Sequence, residues 1–193
     1  TPTQFEMAGL QGSAIGAMTE LARSPWMINV LEAPAGSGKT TSLKALRTNA
    51  EHQGRRVVLL SAWRQAVNEA RGADAAAEYD TIAATRLRIT NGTLDWDKNT
   101  IVVVDEAATT GDRDLYELLK AVHGAQAKII LVGDSHQLQP VRAGGGMFRD
   151  LAENLPRTQA FDRVWRQKDP EEKAMTLRMR DAQTHTDVET VAA

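Results

Sequence analysis

Short apolar runs rich in β-branched residues recur along the chain and predict the strands of a buried sheet. The runs are residues 28–31, 57–60, 101–104 and 129–132. Each has the length of a strand rather than of a helix. The remaining patterned segments have helical character and are residues 11–22, 39–52, 63–71, 81–88, 112–123 and 171–180. This alternation predicts an α/β fold, with a mainly parallel sheet and helices on both of its faces.

Polar residues follow directly on the ends of the predicted strands. They are the glycine-containing loop from Ala33, Ser61, the pair Asp105 and Glu106, and Asp134. Open parallel sheets bind their ligands at the carboxyl ends of the strands. The sequence therefore predicts one functional edge, to which all four strands contribute.

Residues 33–40 read APAGSGKT, one substitution away from the phosphate-binding loop pattern, because Ala33 replaces its first glycine. Backbone amides of such a loop point at a phosphate, while the lysine reaches the β- and γ-phosphates and the hydroxyl ligates Mg²⁺. The alternative is a glycine-rich strand-to-helix turn with an unrelated lysine. The predicted ATP-binding residues in the loop are Gly36, Ser37, Gly38, Lys39, Thr40 and Thr41.

Asp105 and Glu106 end the third predicted strand and supply the complementary chemistry. We expect Asp105 to hold Mg²⁺ together with Thr40, and Glu106 to act as the general base on the attacking water. A kinase has its own acceptor hydroxyl and does not need this base, so the pair favours hydrolysis. The alternative is a strand end with two solvated acids.

Composition restricts the remaining possibilities. The 193 residues carry a net charge of −2, which favours local rather than general contact with a polyanion. The absence of cysteine excludes disulfides, thiolate metal sites and a cysteine nucleophile, and it fits a cytoplasmic location. The apolar runs fall short of the roughly 20 residues of a membrane helix, so no membrane partner is expected. Because Thr1 rather than Met comes first, we expect a fragment of a larger multidomain protein.

Residues 131–141, LVGDSHQLQPV, and residues 144–148, GGGMF, form a more specific signature. They resemble motif III of superfamily-1 helicases. With Asp105-Glu106-Ala107, Thr81-Ile82 and the sequence VWRQ at 164–167, they resemble the RecD-like branch. The greatest similarity is to the helicase portion of TraA/TrwC-type (MobF) conjugative relaxases, over about residues 10–181.

The resemblance implies that residues 1–193 form one RecA-like lobe, motor domain 1A, of a 5′–3′ helicase acting on single-stranded DNA in conjugative transfer. ATP and Mg²⁺ are the implied cofactors. The implied partners are single-stranded DNA, a second RecA-like lobe and a relaxase domain of the same parent chain. Alternatives are a RecD-like lobe for DNA repair or recombination, a non-catalytic DNA-binding scaffold, and a small-molecule kinase.

The resemblance also assigns individual roles. Gln137 would sense the γ-phosphate, Arg166 would contact it, and Gln11 would read the adenine. An arginine paired on the surface is the alternative for Arg166, and a core position is the alternative for Trp63. The residues expected to contact DNA are Ser61, Trp63, Arg64 and Thr81. Further arginines in the same third of the chain, each either a DNA contact or part of a solvated face, are Arg55, Arg56, Arg71, Arg86 and Arg88.

Overall fold

A computed structural model describes residues 2–34, 36–135, 146–156 and 158–161. Its centre is a six-stranded sheet in which every pair of neighbouring strands is parallel. The strands are β1 (Ile28–Glu32), β2 (Arg56–Ser61), β3 (Glu78–Thr81), β4 (Thr100–Asp105), β5 (Lys128–Gly133) and β6 (Gln159–Ala160). Their order across the sheet is β3-β2-β4-β5-β1-β6.

Helices cover both faces of this sheet. They are α1 (Pro2–Met7), α2 (Ser13–Arg23), α3 (Lys39–Glu51), α4 (Arg64–Gly72), α5 (Ile82–Thr90), α6 (Asp112–Gly124) and α7 (Gly146–Asn154), with a 3₁₀ helix at Ala107–Thr109. Successive side chains of a strand point to opposite faces. The central strands therefore feed two apolar layers, one shared with α1 to α4 and the other with α5 to α7.

The structure confirms the predicted fold class, the four central strands and the helices predicted within the described residues. β1, β2, β4 and β5 are almost wholly buried, so their sequences are near-continuous apolar runs. α5 begins one residue later than predicted, because Thr81 ends β3 and caps the helix. The helix predicted at residues 171–180 lies outside the described residues.

α1, α7, β3 and β6 are elements that the sequence pattern did not predict. β3 is an edge strand with the sequence Glu-Tyr-Asp-Thr, in which the first three residues are only partly buried, and it therefore lacks an apolar run. β6 pairs through only two residues at the opposite edge. Within the described part of the chain, none of the helices has the length and apolarity needed to cross a membrane.

Candidate active site at the carboxyl edge of the sheet

The loop between β1 and α3 has the backbone geometry of a phosphate cradle. Gly36 and Gly38 have φ angles of 78° and 88°, a left-handed region that glycine enters without steric cost. Ala33 is buried and its N–H donates to the Gly133 carbonyl at 2.7 Å, which continues the β1–β5 ladder by one residue. Because Ala33 still extends β1 at the carboxyl end of the sheet, the loop does not need glycine at this position.

Ser37 lies at the bend of the loop. Its side chain is buried, and its hydroxyl has no hydrogen-bond partner among the described residues. A buried hydroxyl without a partner is costly, so such a group commonly marks a position that a ligand or water satisfies. This orphaned hydroxyl fits a loop shaped to receive phosphate oxygens.

A pocket of about 270 Å³ adjoins the loop on the side of α2. Its wall includes Gln11, which precedes α2, and Ala14 in its first turn, together with Ser37, Gly38 and Thr41 from the loop and α3. The structure thus brings Gln11 next to the loop.

Lys39 joins the phosphate loop to the acids at the end of β4. Its Nζ lies 2.5 Å from Glu106 Oε1 and 3.7 Å from Asp105 Oδ1. Glu106 has a φ of 55°, which is unfavourable for a residue with a β-carbon by roughly 1–2 kcal/mol. This conformation leads from β4 into the 3₁₀ helix, in which the hydroxyl and N–H of Thr109 both donate to the Glu106 carbonyl at 2.9 Å.

Asp105 is the more buried of the two acids. Burial raises the pKa of its carboxyl above the usual value, while the Lys39 ammonium acts in the opposite direction. Its Oδ1 accepts the N–H of Glu106 at 3.0 Å, which fixes the carboxylate at the strand end. A bound cation would favour the charged form of this carboxyl and so oppose the effect of burial on its pKa.

A second pocket, of about 180 Å³, contains Gly36, Lys39, Thr40, Asp105 and Glu106 among its lining residues. Magnesium at nucleotide sites takes oxygen ligands, typically one or two from the protein and the rest from phosphate and water. Thr40 and Asp105 have the right chemistry and share this pocket, so the residues present fit Mg²⁺.

The residues expected to contact DNA do not share one environment. Ser61 is fully buried and Thr81 is 9% exposed, with its hydroxyl accepting the N–H of Ala84 at 3.2 Å. Both side chains are thus much less accessible to a DNA backbone than those of Trp63 and Arg64, and their predicted contacts with DNA remain predictions. Trp63 is 65% exposed, so the alternative of a core position is wrong. Arg64 is also exposed, and it forms no ion pair with any residue that the structure describes.

Three of the nearby arginines form ion pairs with carboxylates of the protein itself. Arg56 pairs with Glu78 and Asp95. Arg86 pairs with Asp114 and Glu117, and Arg88 with Asp95. These contacts support a structural role for the three side chains and leave Trp63 and Arg64 as the better candidates for a nucleic-acid contact.

Gln137 and Arg166 lie outside the described residues, so their predicted roles remain predictions. Sequence reasoning missed Glu32, the last residue of β1, whose carboxylate Oε2 accepts the N–H of Ser135 at 3.1 Å. Its signal was available, since a lone acid ends an apolar strand at the same edge as Asp105.

The sheet and its loops define a class of protein. The phosphate loop follows β1, the acid pair follows β4, and β5 lies between these two strands. A parallel sheet with helices on both faces and this arrangement of loop and acids is a RecA-like P-loop nucleotide-binding domain.

The chain belongs to the AAA domain family, which matches residues 10–193. It is 34% identical over 153 residues to the conjugal transfer protein TraA of Agrobacterium fabrum, covering 79% of this chain and 14% of TraA. It is 32% identical over 141 residues to the ATP-dependent RecD2 DNA helicase of Deinococcus radiodurans, covering 72% of this chain and 19% of RecD2. The resemblance to RecD-like helicases and TraA-type conjugation proteins is thereby confirmed.

The chain spans less than a fifth of the length of these two curated relatives. Among solved structures, AMPPCP-bound DnaA from Aquifex aeolicus matches with a TM-score of 0.48 and 16% identity, over 93% of this chain and 54% of DnaA.

Proposed function

We propose that the chain is the ATP-hydrolysing motor lobe of a 5′–3′ single-stranded-DNA translocase or helicase that serves conjugative DNA transfer. The observation that carries this proposal is the contact of Lys39 with both Glu106 and Asp105. It brings the phosphate loop into one pocket with the two acids, Glu106 as the proposed general base and Asp105 as the proposed magnesium ligand. The similarity to TraA supports the conjugative role, and the similarity to RecD2 supports a helicase.

The Lys39 ammonium forms an ion pair with the Glu106 carboxylate. In the proposed reaction, the β- and γ-phosphates replace Glu106 as the partners of the Lys39 ammonium. Glu106 is then released to accept the proton of the attacking water. Thr40 and Asp105 would hold Mg²⁺, which when bound neutralises charge on the phosphate oxygens. Gln137 and Arg166 are proposed to complete the surroundings of the γ-phosphate.

Gln11 is proposed to contact the adenine, because it lines the pocket beside Ser37 and Gly38. Residues 1–193 are proposed to form one lobe of a two-lobed motor, with the second lobe and a relaxase domain in the same parent chain. A RecD-like role in repair or recombination is the second candidate, and it is favoured by the similarity to RecD2.

Phosphate release with and without single-stranded DNA tests the proposed activity. We expect slow hydrolysis, because one lobe alone leaves the attacking geometry poorly held. DNA should stimulate it, and Lys39→Ala should abolish it. A kinase would ignore the DNA and a scaffold would release nothing. The same sample should show no strand displacement, since translocation requires two lobes that move against each other. Robust unwinding by the monomer would contradict the two-lobed motor.

Trp63 offers a direct test of the proposed path of single-stranded DNA past Trp63 and Arg64. An exposed tryptophan stacks on bases with little regard to sequence and contributes about 1–3 kcal/mol per base. Trp63→Ala should therefore weaken binding of oligo-dT by roughly fivefold to a hundredfold in fluorescence anisotropy at low salt. Trp26→Ala is the matched control, because Trp26 is 53% exposed but precedes β1 at the amino edge of the sheet. Equal affinities of the Trp63 and Trp26 variants for oligo-dT would show that the DNA does not pass Trp63.

A further inference from the structure

Glu32 lies where the phosphate loop begins, and it contacts residues just beyond the ends of β5 and β6, the two strands that flank β1. It is the last residue of β1, and Ala33 begins the loop. Its carboxylate accepts the Ser135 N–H at 3.1 Å, just beyond β5. Its main-chain carbonyl accepts the Phe161 N–H at 2.9 Å, just beyond β6. One residue thus contacts the phosphate loop through its backbone and two other strand ends through hydrogen bonds.

The side-chain contact is not needed to hold the sheet together. β1 and β5 already pair over five residues, from Ile28 opposite Ile129 to Glu32 opposite Gly133. The carboxylate reaches past the last pair to a single backbone amide. A half-buried charged group gives up solvation for this contact, which lies outside the pairing of β1 with β5.

Described residues of α6, α7 and the 3₁₀ helix form close contacts near the end of β5. Arg149 of α7 donates to the Ser135 carbonyl at 3.3 Å, and Asp112 of α6 accepts the Met147 N–H at 3.0 Å. At Gly133, a β-carbon would lie 3.0 Å from both the Ala108 nitrogen and the Phe148 ring. A closely packed region passes a displacement on to its neighbours, because it contains no empty space that could accommodate the shift.

We propose that Glu32 is a positioning residue that transmits nucleotide occupancy of the phosphate loop to Ser135, two residues beyond the end of β5. The inference rests on the proposed function, because it requires the loop to bind ATP. A shift of the loop at Ala33 moves the end of β1, and the Glu32 carboxylate carries that shift to the Ser135 amide. The contact thereby couples the phosphate site to the strand that lies between β1 and β4.

Hydrogen exchange of the full chain, with and without magnesium and the non-hydrolysable analogue AMPPNP, tests the proposal. In the wild type we expect AMPPNP to protect peptides of the phosphate loop and to change exchange in peptides that contain Ser135. Glu32→Ala should retain the first effect and reduce the second at least threefold. Glu32→Gln should restore it, because the amide oxygen accepts the same N–H.

Two further variants complete the design. Glu153→Ala is the control, since Glu153 is an exposed acid on α7, and it should leave both effects unchanged. Glu32→Asp withdraws the carboxylate by one methylene, so it should lose the effect at Ser135 even if Glu32→Ala fails to fold. A full nucleotide effect at Ser135 in the Ala or Asp variant overturns the proposal, as does a Gln variant no better than Ala. Absence of loop protection in the wild type instead rejects nucleotide binding, and the proposal with it.

Discussion

Lys128, at the start of β5, is a buried lysine held by carbonyl groups. It is 7% exposed, and its Nζ donates to the Leu21 carbonyl at 3.1 Å and to the Ser24 carbonyl at 2.6 Å. These carbonyls lie at the carboxyl end of α2, where the helix dipole favours a cation. Burial nevertheless lowers the pKa of Lys128 to about 8, and the nearby Arg55 charge adds to the effect.

This lowered pKa predicts an unusual dependence of stability on pH. An unfolded lysine keeps its proton up to a pKa of about 10.5, whereas folded Lys128 loses it near pH 8. Between these values the unfolded state binds more protons, so stability rises with pH. The wild type should gain up to about 3 kcal/mol relative to Lys128→Met between pH 8 and 10.5. Urea unfolding of both proteins across this range measures the difference, and parallel curves would exclude the assignment.

The candidate site residues show how much the sequence alone can predict for single side chains. Lys39, Thr40, Asp105 and Glu106 were predictable because loop chemistry and strand ends fix their types and positions along the chain. The burial of Ser61 could not be predicted from the sequence, because it depends on which helix covers the last residue of β2. The same limit applies to Thr81, whose hydroxyl was expected on DNA and instead caps α5.

Among the secondary-structure elements, the strands divide into those that sequence reveals and those that it does not. Central strands are buried on both faces and require continuous apolar residues, so β1, β2, β4 and β5 were evident. β3 and β6 lie at the edges of the sheet, where one neighbour and partial burial suffice. Their sequences therefore carry no apolar run, and only the pairing in three dimensions defines them.

The end of β5 offers a test of how tightly these elements pack. Gly133→Ala would place its β-carbon 3.0 Å from the Ala108 backbone nitrogen. A backbone atom, unlike the end of a side chain, cannot relieve this contact by changing rotamer. Overpacking of this kind should destabilise the fold by about 1–3 kcal/mol in chemical denaturation. Gly16→Ala is the control, because a β-carbon at that position in α2 meets open space. It should stabilise the helix by about 0.5–1 kcal/mol. Equal effects of the two substitutions would contradict the close packing described at Gly133.

At the scale of the whole molecule, two pockets adjoin the same phosphate loop. One lies beside Gln11 and Ser37, and the other contains Lys39, Thr40, Asp105 and Glu106. This arrangement agrees with the proposal that the base contacts Gln11 and that the reacting phosphate lies beside Lys39 and Glu106. The loop pattern and the strand-end acids predicted Ser37, Lys39, Thr40, Asp105 and Glu106, and the resemblance added Gln11. The distances between them required the fold.

The central claim is that Lys39 binds the phosphates and Glu106 acts on water, although the two now form an ion pair. Lys39→Ala removes a charge-assisted contact, so it should weaken Mg-ATP binding by about tenfold or more. Glu106→Gln should bind Mg-ATP as tightly as the wild type or more tightly, because it weakens the ion pair that competes for Lys39. It should also block hydrolysis.

Calorimetric titration of both variants with Mg-ATP, paired with phosphate release, separates these roles most directly. The account predicts lost affinity in Lys39→Ala, and retained affinity without turnover in Glu106→Gln. A Glu106→Gln protein that loses nucleotide as severely as Lys39→Ala, or that still hydrolyses ATP at the wild-type rate, would contradict it.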